Sequence, residues 1–172
     1  MSTILLVIVL MVVAVIVVAL AVAYFLYPRR RQARARQEYG TEYERAVEEH
    51  GSEREAEQEL RERRERVESE IRPLSEESRR RYDGQWRQVE QTFVDDPRAS
   101  LDDADRVVAE ILTERNYPTD TRQEASKGLG VMHPGVVEEF REAQLIYQDA
   151  AGTEGGGDLE KMRQAIQKYR SV

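Results

Sequence analysis

The sequence predicts an all-α protein: one N-terminal transmembrane helix, a charged helical stalk, then a compact bundle of about four helices. Three observations predict it. Residues 1–27 hold no charged side chain, whereas residues 28–36 carry five arginines. Residues 29–73 hold 25 charged side chains out of 45. Beyond Pro73, apolar residues recur at spacings of three and four, and no stretch sustains the alternation of a strand. The expected boundaries are an anchor over 1–28, a basic collar and stalk over 29–73, and a compact helical domain over 74–172.

The anchor covers residues 4–26, almost all Val, Ile, Leu and Ala. At about 1.5 Å per residue it would measure roughly 35 Å, against a hydrocarbon core of about 30 Å. Tyr24, Phe25 and Tyr27 stand at one end, where amphipathic rings favour the headgroup level. Pro28 is expected to break the helix. The rival is a cleaved signal peptide, for which Ala21-Val22-Ala23 mimics a cleavage site. That reading needs a basic leader and an apolar run of about 7–15 residues. Met1-Ser2-Thr3 has no Lys or Arg, and the run is longer.

Arg29, Arg30, Arg31, Arg34 and Arg36 all lie on the C-terminal side of the span. Basic residues at a span's end favour the cytoplasm, so the expected topology is a single-pass cell-membrane protein with its C-terminal domain inside. The same five arginines are the expected contacts to anionic membrane lipids, at about 1 kcal/mol each near the surface. Ala19 and Ala23 form a small-xxx-small pair, which leaves a homodimer open.

Charge narrows the partners. The net −7 divides into +4 over residues 1–40, from five Arg and one Glu, and −11 over residues 41–172, from 21 basic and 32 acidic side chains. An acidic domain repels phosphate backbones, so no nucleic-acid partner is expected. The chain has no cysteine, which excludes disulfides, thiolate zinc sites and thiol catalysis.

In the stalk, Tyr39, Tyr43 and Val47 share a helical face, and Gly51 after His50 reads as a helix stop. Ser52 and Glu55 form a capping box that restarts a helix running to about Arg72, before Pro73. Glu57–Arg61, Glu59–Arg63, Glu62–Arg66 and Glu68–Arg72 are i,i+4 pairs in the favourable order, worth about 0.2–0.5 kcal/mol each. Ala56, Leu60, Val67 and Ile71 resemble a thin heptad seam, interrupted by Arg63 and Arg64 where an apolar residue is needed. That favours a solvated stalk with one edge on the following domain over a dimerising coiled coil.

In the compact domain, Ser75 caps a helix with the stripe Tyr82, Trp86, Val89 and Phe93. Asp96 and Pro97 start the next, with Leu101, Ala104, Val108, Ile111 and Leu112 inward, closed by Asn116-Tyr117-Pro118. Residues 121–127 suggest a short helix before a Gly128-Leu129-Gly130 turn. His133-Pro134 opens another helix with Val136, Val137, Phe140, Ala143, Ile146 and Tyr147 inward. Residues 152–157 read as a flexible connection, and Asp158 caps a last helix with Leu159, Met162, Ile166 and Tyr169 inward. Trp86 and Phe93 are the expected largest core members.

Candidate chemistry is sparse, so no catalytic, cofactor-binding or metal residue is assigned and no enzyme activity is expected. His50 and His133 are the only histidines, and both sit at helix boundaries. Asp95, Asp96, Asp102, Asp103 and Asp105 are the best acidic cluster, yet acids at a helix start are already explained by capping and the macrodipole. Glu138 and Glu139 read the same way. Gly155-Gly156-Gly157 follows no strand, so it is not a phosphate loop.

One run of motifs is distinctive: Trp86, Val89 and Phe93-Val94-Asp95-Asp96-Pro97; Ala104-Asp105-Arg106-Val107-Val108; Arg115-Asn116-Tyr117-Pro118; and His133-Pro134 with Val136-Val137-Glu138, Phe140-Arg141 and Ala143. It resembles a group of actinobacterial proteins of unknown function, membrane-anchored or secreted, with an N-terminal hydrophobic segment and an Arg/Glu-rich stretch before this region. The resemblance implies the same architecture and no activity. Asn116 stands where that group carries Gly. The expected function is a membrane-tethered, non-enzymatic interaction or scaffold module at the cytoplasmic face. The alternatives are a carboxylate-based enzyme or ligand-binding domain using Asp95, Asp96 and Glu138, or an extracytoplasmic envelope factor if the topology is reversed.

Overall fold

The computed structural model describes the backbone of residues 2–152 and 158–172, with side chains except those of 1–9 and 21–31. The described residues form eight α-helices and no strand, as expected of an all-α chain. They divide into two compact units, Met1–Glu38 and Tyr39–Val172.

The first unit is nearly all of α1 (Ser2–Tyr39). Its helical backbone continues through Pro28, where the sequence suggested a break. A proline removes one backbone donor, and the helix-favouring residues that follow it carry the remaining ladder. Nine large apolar side chains between Leu10 and Leu20 are 49–66% exposed. Among the described residues no helix is long and apolar enough to cross a membrane. The side chains described within the expected span of 4–26 cover only 10–20, about 16 Å of helix; the remainder of that expectation lies outside the described residues.

The second unit begins with α2 (Thr41–His50) and α3 (Glu53–Glu70), which pack on each other and on α6. Gly51 takes the left-handed conformation at φ 69° and donates its N–H to Val47 O at 2.8 Å, ending α2. Ser52 then caps α3 through the Glu55 N–H. Tyr43, Ala46, Ala56, Leu60 and Val67 are buried. The thin seam is therefore an inward face, and the compact unit starts at Tyr39, well before the composition shift at Pro73. Charge counts cannot reveal this, because a helix with an apolar stripe on one side keeps its charges on the other.

Ser75 caps α4 (Glu76–Asp95), and Asp96 caps α5 (Pro97–Glu114) by accepting from Ala99 N–H at 2.9 Å. These two helices pack side by side and are tied by Ser100, whose buried hydroxyl donates to Val89 O at 2.7 Å. Asn116 ends α5 at φ 63°, the left-handed position that glycine favours. Its amide donates to Glu70 O at 3.1 Å, linking the end of α3 to the end of α5.

The expected Gly128-Leu129-Gly130 turn is instead the interior of α6 (Arg122–Met132). Both glycines serve close approach. A Cβ on Gly128 would fall 2.8 Å from Pro118 Cγ, and one on Gly130 would fall 2.5 Å from Glu42 Cγ. Helix α7 (Val137–Gly152) starts three residues after Pro134. Of the expected connection over 152–157, residues 153–157 lie outside the described residues. Asp158 caps α8 (Leu159–Arg170), which packs on α5 and α7. Among the described residues, 74–172 thus hold five helices, where the sequence suggested about four.

The largest fully buried side chains are Tyr43, Tyr169, Leu60, Leu101, Leu129 and Met162. Trp86 is among the buried core side chains, as expected, whereas Phe93 is only partly buried, which corrects the expectation for that residue. Phe93 lies in the last turn of α4, beyond the centre of its stripe. Leu159, expected inward, is 57% exposed in the first turn of α8.

Candidate functional site

The structure assigns the carboxylates singled out in the sequence to local tasks. Asp96 caps α5, Asp102 accepts from Arg98 at 3.2 Å, and Asp103 pairs with Arg106. Asp95 is exposed at the end of α4. Asp105 is drawn inward: it accepts two bonds from Arg122, at 2.5 and 2.7 Å, and one from the Tyr169 hydroxyl at 2.6 Å. That cluster joins α5, α6 and α8. It raises the Arg122 pKa, chiefly through the Asp105 hydrogen bonds, and the Tyr169 pKa, chiefly through burial.

Glu138 joins a second network. It accepts from Thr41 at 2.7 Å, from Arg45 at 2.9 and 3.2 Å, and from Arg141 at 2.9 Å. Arg141 also reaches Glu42 at 2.5 Å. Glu42 is 3% exposed, and burial raises its carboxyl above the ordinary value against the lowering effect of Arg45 and Arg63. Glu139 pairs with Lys168 at 2.7 Å. His50 is exposed at the end of α2, and His133 caps the end of α6 with Nε2 buried and unpartnered. No group of three or more His, Asp or Glu among the described residues converges to hold a metal ion.

The open feature with ligand-like composition is a groove where α4, α5 and the end of α8 meet. It encloses about 480 Å³, within the range of about 300–1,000 Å³ typical of small-ligand pockets. Its apolar wall is Trp86, Val107, Val108 and Ile111, flanked by Tyr82 and Tyr169. The exposed charges Asp83, Arg87 and Arg170, together with Val172, complete the lining. Trp86 Nε1 is buried without an acceptor, a state that costs about 1–3 kcal/mol and favours any occupant supplying one.

The groove wall is held in place. Tyr82 donates to Glu114 at 2.7 Å, and Glu114 also receives Ser78 and Arg81. These bonds, led by the one from Ser78, hold the Glu114 carboxyl below its ordinary value. The α4 stripe that supplies Tyr82 and Trp86 was legible in the sequence. The groove was not, because Val107 and Tyr169 reach it from helices whose pairing has no local signature. Among known proteins, no family model matches the chain, and neither a curated protein nor a solved structure shows similarity to it.

Proposed function

We propose that the chain is a membrane-tethered, non-enzymatic helical interaction module, with residues 4–26 as its span and residues 39–172 at the cytoplasmic face. The observation that carries the reading is the apolar surface of α1. Large side chains on every face between Leu10 and Leu20 stand in the open, and a helix apolar all round is stable only inside a protein core or a bilayer. Arg29, Arg30, Arg31, Arg34 and Arg36 supply the orientation bias and the lipid contact. The groove beside Trp86 is the docking site, and its occupant is a partner-protein segment bearing one apolar side chain next to a free backbone carbonyl. The carbonyl answers Trp86 Nε1, and the side chain answers Val107, Val108 and Ile111. This module belongs with the group of membrane-anchored helical proteins that its motifs resemble.

Two measurements test the proposal. A reporter active only in the cytoplasm, fused after Val172, is expected to be active. An inactive fusion places the domain outside and favours an envelope factor. A photocrosslinker in place of Arg87, in the full chain in its membrane, is expected to capture one protein. Ile111→Asp is expected to abolish that capture, and capture indifferent to this change would remove the groove from the proposal.

A further inference from the structure

A second cavity, of about 430 Å³, lies among α2, α3, α6 and α7, away from the groove. Its wall carries five cations: Arg45, Arg63, Arg122, Lys127 and Arg141. Only two carboxylates, Glu42 and Glu49, share that wall, so it is +3 within a segment that is otherwise acidic, −11 over residues 41–172. The cations are held by carboxylates within the wall and beyond it: inside it, Glu42 pairs with Arg45 and Arg141, and Glu49 with Lys127. Beyond it, Glu59 pairs with Arg63, Asp105 with Arg122, and Glu138 with Arg45 and Arg141. Three of the cationic side chains are largely enclosed: Arg63, Lys127 and Arg141 are 14%, 16% and 17% exposed.

Two neutral groups distinguish this wall from a purely structural ion network. Gln144 and Ser126 are 8% and 6% exposed and line the cavity. Neither side chain makes a hydrogen bond within the described protein. An amide that faces the cavity beside guanidinium groups is an orienting contact for a polar occupant. Arginine forks match carboxylate and phosphate oxygens two at a time. Glu42 and Glu49 accept hydrogen bonds, so they favour hydroxyl groups between the anionic ones.

We propose that this cavity binds a small polyanion, a molecule carrying at least two carboxylate or phosphate groups together with hydroxyls. Arg63, Arg141 and Lys127 supply the charge contacts, and Gln144 and Ser126 set the orientation. The site is independent of the groove and of the membrane reading.

The test is calorimetric titration of the full chain in detergent at low salt, with citrate, inorganic pyrophosphate and glucose as probes. Saturable one-to-one binding of citrate or pyrophosphate is expected, with none of glucose. The preferred anion separates a carboxylate from a phosphate ligand. Lys127→Gln and Gln144→Leu are each expected to weaken binding about tenfold, the size of one charge-assisted or buried hydrogen bond. Circular dichroism melting checks that both variants remain folded. No saturable binding of either anion would overturn the proposal. Binding unchanged in both variants would overturn it too, because the anion would then reside at the arginines of residues 29–36.

Discussion

Gly130 and Gly84 both lie inside helices of the structure, yet alanine at the two should act in opposite directions. At Gly130 the new Cβ would meet Glu42 at 2.5 Å, and Glu42 cannot withdraw because it is buried and held by Arg141. Gly130→Ala is expected to destabilise by about 1–3 kcal/mol in urea unfolding. At Gly84, on the exposed face of α4, nothing lies within 4 Å, so Gly84→Ala should stabilise by about 0.5–1 kcal/mol. Residues with local duties were legible: Ser52, Ser75, Asp96 and Asp158 all cap as their spacing suggested. The glycines of α6 were not, since their reason lies in Glu42 and Pro118, distant in the chain. His133 adds a titration. Burial, then Arg115, lowers its pKa below 6.5. The native state therefore holds less proton than the unfolded one, and this contribution is present above pH 6.5 and lost as pH falls through the lowered value. Replacing His133 by Asn should flatten the fall in stability as pH drops below about 6.5, measured by denaturant unfolding.

Helix α3 separates two pictures of the N-terminal part of the folded unit. A solvated stalk would lose little from truncation of Leu60. A packed element, with Leu60 fully buried, should lose about 2–5 kcal/mol in Leu60→Ala. A loss below about 1 kcal/mol in thermal or urea unfolding would restore the stalk. The seam Ala56, Leu60 and Val67 was visible as a periodicity, and so was its interruption by Arg63. What the interruption serves was invisible, because Arg63 lines a cavity whose other walls come from α2, α6 and α7. Asn116 shows the reverse case. Its difference from Gly left the turn after α5 undecided in sequence, and the structure gives it the glycine-like conformation plus a bond to Glu70 O.

The unit formed by Tyr39–Val172 behaves as one cooperative body if its helix pairings are all required. A fragment of residues 39–172 should therefore melt in a single sharp transition, whereas residues 74–172 should lose that cooperativity, since α6 would expose the face it packs on α2 and α3. Calorimetry on both fragments decides this. Composition foretold helices and their approximate number, because amphipathic periods are local. It could not foretell that α5 contacts both α7 and α8, or that α2 returns to α6, because pairings of equal apolar stripes are chosen by shape.

The bonds from Thr41 and Arg45 to Glu138 span 97 and 93 residues of sequence. At roughly 5–20 residues per second of synthesis, the partner emerges about 5–20 seconds after the first helix of the folded unit. For most of that interval α2 and α3, with Tyr43 and Leu60, lack the α6 they pack on. The order of manufacture thus opposes the order of assembly, and the hairpin of α2 and α3 carries uncovered apolar surface while the rest of the unit is still being made.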